Sequence, residues 1–205
     1  MIMKKMIYIF AAMVALMSVA INADAQVGKR TYVNGGWQFN GTISNNVAES
    51  AQGYGAYIES GCYLTPMFAV GGFASFNSND QYYPSQTYTF ADRSALTTDM
   101  YKSIYQVPFG STVRLRFARL MFQPYIEAKI GTEYSSQSTY MSTFVSRDDN
   151  WGFYISPEVG MTVYPFQNEN FGFQLAAYYS YSTNKSTEYN LNGINNLGFK
   201  LGIAF

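Results

Sequence analysis

The chain has 205 residues, 48% hydrophobic and 18% aromatic, and its 13 basic side chains cancel 13 acidic ones. Zero net charge leaves no electrostatic footprint for nucleic acid, which is not expected as a partner. With no His and one Cys, the chain lacks the commonest general base and metal ligand, and any internal disulfide framework.

Residues 1–25 read as a secretory leader. Lys4 and Lys5 precede an apolar run, Met6 to Ala20, that is short for a membrane-spanning helix. Ala23-Asp24-Ala25 fits the small-x-small cleavage pattern, and the absence of Cys there argues against a lipoprotein anchor. A retained helical anchor is the alternative. The expected domains are therefore a signal peptide, 1–25, and one exported domain, 26–205. Cys62 then sits in an oxidising compartment, where burial or contact with lipid would shelter its thiol. No later stretch approaches 18 apolar residues in a row, which excludes helical spans but not strands.

The rest of the chain alternates with period two. Val33–Ile43 sets Val33, Trp37, Phe39 and Ile43 against Asn34, Gln38 and Asn40. Tyr54–Leu64 follows, with Glu59 opposite its apolar register, and then Met67–Phe76, apolar in both registers. Tyr105–Phe117 places Arg114 and Arg116 opposite Val113, Leu115 and Phe117. Pro124–Tyr134 places Glu127, Lys129 and Glu133 opposite Ile126, Ala128 and Ile130. Trp151–Val163 carries Glu158 on its polar side, Phe171–Tyr181 alternates cleanly, and the chain ends on Leu197–Phe205 with Lys200 on the polar side. Gly, β-branched and aromatic residues at every second position argue against helices. The expectation is eight strands of barrel length.

The connections alternate short and long. Leu64–Met67, Ala118–Met121 and Pro165–Asn170 are short. Asn77–Ser103 and Ser135–Asn150 are long, and Ser44–Gln52 and Thr183–Gly193 intermediate. Up-and-down strands put all short turns at one end, as in an outer-membrane barrel. The second loop either extends its flanking strands or is mobile. Pro124 is expected to start a strand, and Pro108 and Pro157 to sit at bulges, because a closed barrel has no free edge.

Three features favour a membrane barrel over a soluble one of inverted polarity. The apolar register carries no charge, and a charge facing lipid at mid-bilayer costs about 2–4 kcal/mol. Interfacial aromatics gather at both strand ends in that register: Tyr54, Tyr105, Tyr134, Trp151 and Tyr181 at the loop end, Phe117, Phe171 and Phe205 at the turn end. The last strand is aromatic and apolar. The fold class is thus all-β, an eight-stranded antiparallel up-and-down transmembrane β-barrel.

The segment from Leu197 to Phe205 resembles the C-terminal strand of Gram-negative outer-membrane proteins. That resemblance implies that Phe205 is an assembly signal read by the barrel-assembly machinery. Pro124-Tyr125-Ile126-Glu127-Ala128 and Ser156-Pro157-Glu158-Val159-Gly160 resemble strands of the small outer-membrane β-barrel domain family. The likeness implies a bacterial outer-membrane location with outer-membrane lipid as a partner. No appended periplasmic domain is read, so peptidoglycan anchoring is not implied. Gly35-Gly36-Trp37 resembles the Gly-x-Trp near the start of lipocalins and keeps a soluble exported carrier as an alternative.

An eight-strand interior is just wide enough for side chains to fill it. Glu59, Arg114, Arg116, Glu127, Lys129, Glu133, Glu158 and Lys200 would lie there, four of each sign. Such charges must pair or be hydrated. We expect an ion-pair network centred on Arg114 or Arg116 with Glu127. It would act as a structural plug, alternatively as a narrow path for ions or water. Glu127 with Glu158 as an acid–base pair would be held ionised by nearby cations.

Outer-membrane barrel enzymes resemble one another in using a His, absent here, and Lys185-Ser186 is mere adjacency; no enzyme is expected. Asp148-Asp149-Asn150 reads as a solvated turn before a Ca²⁺ site, and no metal or cofactor is expected. The expected function is non-enzymatic: envelope integrity, with loops 77–103 and 135–150 contacting an extracellular ligand or host surface. A narrow pore or conduit for small apolar solutes is the alternative.

Overall fold

The computed structural model describes residues 31–43, 52–89, 95–141, 144–165, 171–186 and 191–205. The expected leader lies outside them. The strands are β1 (Thr31–Ile43), β2 (Gln52–Tyr63), β3 (Phe68–Thr89), β4 (Ala95–Arg116), β5 (Phe122–Met141), β6 (Phe144–Val163), β7 (Gly172–Ser186) and β8 (Leu191–Ala204). Each pairs antiparallel with its neighbours in sequence, and β8 closes onto β1.

The register fixes the geometry. From Val33 the partners run through Ser60, Gly72, Ser111, Ile130, Ile155, Tyr181 and Asn195, and return to β1 at Ile43. One circuit is thus displaced by about ten residues, which tilts the strands about 35–45° to the barrel axis.

The wall is inside-out relative to a soluble barrel. Trp37 (67% exposed), Tyr54, Phe153, Val159, Leu175 and Leu197 face outward, whereas Asn34, Gln38, Glu59, Lys129, Gln174 and Lys200 are buried in the lumen. Alternation along β7 is unbroken from Gly172 to Ser180. The outward Trp37 removes the lipocalin reading, because a soluble carrier keeps its apolar register inside. The ambiguous Met67–Phe76 segment resolves too: Ala69 and Phe73 point in, Phe76 points out.

The strands overrun their expected ends. In Asn77–Ser103 the extended-strand alternative holds, with β3 continuing to Thr89 and β4 starting at Ala95, whereas Ser135–Asn150 is not a long connection: β5 reaches Met141 and β6 starts at Phe144. Ser, Thr, Gln and Tyr occupy both faces of these extensions, so apolar alternation stops, while Tyr and Thr still favour strand backbone. Asp148, Asp149 and Asn150 stand within β6, paired with Gln137, Ser136 and Ser135. Consecutive strand residues point to opposite faces, so this triplet is neither the expected turn nor a convergent ligand set.

The proline expectation needs correction. Pro108 pairs with Glu133 in continuous register, and Pro157 pairs with Ala128 in the same way. Neither makes a bulge. Pairing to β7 lapses between Ile155–Tyr181 and Glu158–Tyr178 without a change of register. There the Ser156 hydroxyl donates to the Tyr179 carbonyl at 2.8 Å, replacing an N–H that Pro157 lacks. Pro124 is the third residue of β5, where β4 has just ended; its carbonyl accepts from the Phe117 N–H at 2.9 Å. The register shifts instead between Tyr83 and Gln86, around Pro84, and between Ser182 and Lys185, opposite Gly193 with φ of 112°.

Candidate functional site

The lumen is built from side chains that the pleat turns inward at every second residue. Arg114 on β4 lies directly opposite Glu127 on β5. Its Nε donates to Glu127 Oε2, and its Nη2 donates to Glu59 Oε1 of β2 at 2.5 Å. Lys129, two residues beyond Glu127, reaches Glu59 at 2.6 Å, Glu158 at 2.7 Å and Glu127 at 3.3 Å. Lys200 on β8 completes the group, 2.7 Å from Glu158. Three cations therefore balance three carboxylates, with all six side chains at most 5% exposed. An uncompensated member would cost several kcal/mol here.

Four tyrosines frame this cluster. The Arg114 guanidinium lies between the rings of Tyr32 and Tyr125, 4.1 Å from each centroid. Lys200 Nζ lies 4.9 Å from the rings of both Tyr57 and Tyr178. Tyr125 donates to Glu158 at 2.9 Å, and Tyr57 donates to Gln174 Oε1 at 2.9 Å. Gln174 in turn donates to Glu59 at 2.7 Å, and Asn34 donates to Glu59 at 2.9 Å.

Three of these rings cover a glycine. Tyr32 opposes Gly61, Tyr125 opposes Gly160, and Tyr178 opposes Gly198 in the ladder. A Cβ on any of these glycines would collide with the facing ring. The sequence reading gave none of the four tyrosines a role. The available signal was Tyr in the polar register with Gly on a neighbouring strand.

Two of the eight expected charges stand apart from the cluster. Arg116 donates to Gln123 and to the Pro66 carbonyl, both at 2.9 Å, and its guanidinium lies 3.9 Å from the Tyr63 centroid. Glu133 accepts from Gln106 at 3.1 Å and from Ser182 at 2.7 Å, both on Oε1. Neither takes part in the described ion pairs. The register explains this: Glu133 sits opposite Pro108 and Arg116 opposite Tyr125, so neither has a counter-ion across its ladder.

Glu59, Glu127 and Glu158 present carboxylate oxygens within 4.8 Å of one another, the one grouping among the described residues with metal-ligand potential. Lys129 Nζ contacts all three carboxylates and supplies the positive charge a metal would bring. Toward the loop end the lining becomes amide-rich: Asn196 donates to Gln106 at 3.1 Å, and Asn184 donates to Ser135 at 2.9 Å. Buried Met100, Ile104, Leu191 and Ile194 lie on the same strand ends.

The outer wall carries the aromatic girdles. At the loop end Tyr134 packs against Trp151 at 5.2 Å, and Tyr105 stacks on Phe76 at 6.0 Å. Tyr181 lies level with these, opposite Ile155 and Asn195. At the turn end Phe171 meets Phe205 edge-on at 5.8 Å, and Phe117 is exposed. Phe205 exchanges backbone hydrogen bonds with Val33, at 2.8 and 3.0 Å, across the β8–β1 seam.

A closed eight-strand wall with an apolar outside and an ionic inside is a transmembrane barrel. In agreement, the sequence model of the outer membrane protein beta-barrel domain family matches residues 9–205. The chain belongs to that family. It lies in the outer membrane, where the apolar register faces lipid. Two solved members of this architecture have the same fold. The attachment invasion locus protein Ail of Yersinia pestis superposes with a TM-score of 0.50 at 12% identity, over 87% of this chain and 100% of its own. Neisserial surface protein A superposes with a TM-score of 0.52 at 15% identity, over 85% of this chain and 95% of its own. Among curated protein sequences none matches the chain significantly.

Proposed function

We propose that this outer-membrane barrel is a non-enzymatic surface protein: its plugged wall contributes to envelope integrity, and its projecting strands contact an extracellular ligand or a host surface. The observation that carries this reading is the division of the molecule into a sealed lower part and an overbuilt upper part. A strand of about 9–11 residues crosses the membrane, whereas β3 and β4 have 22 residues each and β5 and β6 have 20. The surplus forms a four-stranded sheet outside the bilayer, and such projecting segments carry function in scaffolded folds. Meanwhile the six-charge cluster bridges the lumen from β2 to β5 and from β6 to β8. The like-folded Yersinia pestis protein is the attachment invasion locus protein, which is consistent with the surface role.

The remaining assignments complete this reading. Residues 1–25 act as the export leader, and Phe205 is the signal by which the barrel-assembly machinery takes the chain. The experiment that tests the function pairs two measurements. In planar lipid bilayers the purified protein passes no resolvable current, and on cells it confers binding to a host-matrix panel that is lost when residues 82–101 are replaced by a short turn. Steady open-channel current in the native protein would replace this reading by the narrow-pore alternative. Undiminished binding after the replacement would remove the hairpin from the surface role.

A further inference from the structure

The outer face of the projecting sheet is banded. Val107, Tyr134 and Trp151 make one transverse row in the girdle, through the pairs Val107–Tyr134 and Tyr134–Trp151. The next row upward runs Ser78, Tyr105, Ser136, Asp149, and the next Asp80, Ser103, Ser138, Arg147. Above them a second apolar band returns: Tyr82, Tyr101, Tyr140 and Val145, paired in that order across four strands. These four are 61%, 39%, 38% and 57% exposed. They point sideways, in the register that faces lipid lower down, and not upward from the tip.

The height of this band decides what can reach it. Six residues separate Val107 from Tyr101 along β4. At about 3.3 Å per residue and a tilt near 40°, the band lies about 15 Å above the girdle. The polar zone of a bilayer adds only about 5–7 Å outside each face of the hydrocarbon. A simple phospholipid headgroup therefore ends below the tyrosines. A lipid whose headgroup is a chain of several sugars extends past them and runs alongside this wall.

The chemistry of the band suits a saccharide. Tyr faces stack on the C–H faces of pyranose rings, while their hydroxyls and the neighbouring polar groups hydrogen-bond the ring substituents. Tyr82 donates to Asp99 at 3.4 Å, and Ser103 donates to Asp80 at 2.6 Å, so the polar groups beside the rings are already oriented. Adjacent strands are 4.7–4.9 Å apart, so Tyr82, Tyr101 and Tyr140 present a row of rings about 10 Å wide that a saccharide chain running outward along the wall must cross.

We infer that the Tyr82–Tyr101–Tyr140 band is a stacking surface for the saccharide of outer-leaflet glycolipid, acting laterally within the membrane and distinct from any ligand held at the loop tips. It depends on the outer-membrane location and not on the adhesion reading.

The test reconstitutes the full chain in phosphatidylcholine vesicles, alone, with short-chain lipopolysaccharide, or with the matching lipid A stripped of sugar. The melting midpoint is read by the boiling-sensitive gel shift. The intact lipopolysaccharide is expected to raise the midpoint by about 3 °C over the lipid A vesicles. The Tyr82→Ser/Tyr101→Ser/Tyr140→Ser variant should lose that difference and keep its midpoint in plain phosphatidylcholine. Should the triple variant fail to fold, Tyr140→Ser alone is expected to reduce the difference at least twofold. Equal midpoints with intact and stripped glycolipid would overturn the inference, as would an undiminished difference in the variants. Cross-linking of two barrels through Tyr82→Cys and Tyr140→Cys would assign the band to a second copy of the chain and overturn it likewise.

Discussion

Arg114 draws on four side chains from three other strands: Tyr32 of β1, Glu59 of β2, and Tyr125 and Glu127 of β5. Such buried charges are tolerated only because every partner is in place, and removing one leaves the others uncompensated. Glu59 and Glu133 separate this effect from burial alone, since each is at most 1% exposed. Glu59 uses both oxygens, Oε1 for Arg114, Asn34 and Gln174 and Oε2 for Lys129. Glu59→Gln puts an amide N–H₂ against one of these donors, and we expect a loss of about 3–5 kcal/mol in urea unfolding from lipid vesicles. Glu133 accepts both its bonds on one oxygen, which glutamine retains. Glu133→Gln should therefore change stability by less than about 1 kcal/mol. A comparable loss at both sites would mean that burial, and not ion pairing, sets the cost.

At the scale of strands, Pro157 and Ser156 act as a unit. Ser156→Ala should cost about 1 kcal/mol, because it orphans the Tyr179 carbonyl. In the Pro157→Ala background the same change should cost almost nothing, because the restored N–H bonds that carbonyl. A double-mutant cycle with no coupling would show that water serves the carbonyl instead. The Gly–Tyr pairs are the other interstrand device. Gly160→Val should displace the Tyr125 ring, separate it from Glu158 and Gln174, and cost at least about 1–3 kcal/mol. Its near-UV circular dichroism should weaken while the far-UV strand signal stays.

These elements also mark how far the sequence could be read. Eight strands, their order and the inward charges followed from alternation, because lipid on one side and a polar lumen on the other force opposite residue types onto opposite faces. The extension of β5 and β6 beyond the membrane was illegible for the same reason: with water outside, Ser135, Ser136, Gln137 and Ser138 carry no contrast between faces. The Gly160–Tyr125 pair and the isolation of Glu133 needed the interstrand register, which a single chain's pattern does not contain.

For the molecule as a whole, the ionic lumen and the apolar wall make opposite demands on solvent, and only a closed barrel meets both. Cluster atoms exposed by 5% or less are poorly screened, so raising salt from 0.1 to 1 M should leave the unfolding midpoint nearly unchanged. A large fall would place the network in contact with bulk water.

The pairing of Glu127 with Glu158 across β5 and β6 carries a further consequence. Two carboxylates directly opposite one another oppose the hairpin that contains them. Lys129 offsets part of this from within the hairpin, but Arg114 comes from β4 and Lys200 from β8. Glu59, from β2, adds a third negative charge. A sheet that lacks β2 or β6 thus carries one uncompensated positive charge, and one that lacks β4 or β8 one uncompensated negative charge. Glu59 reaches Arg114 and Lys129, and Lys200 reaches Glu158, across the lumen and not along a ladder, so these contacts form only as the wall curls shut and they reward closure as a single cooperative event.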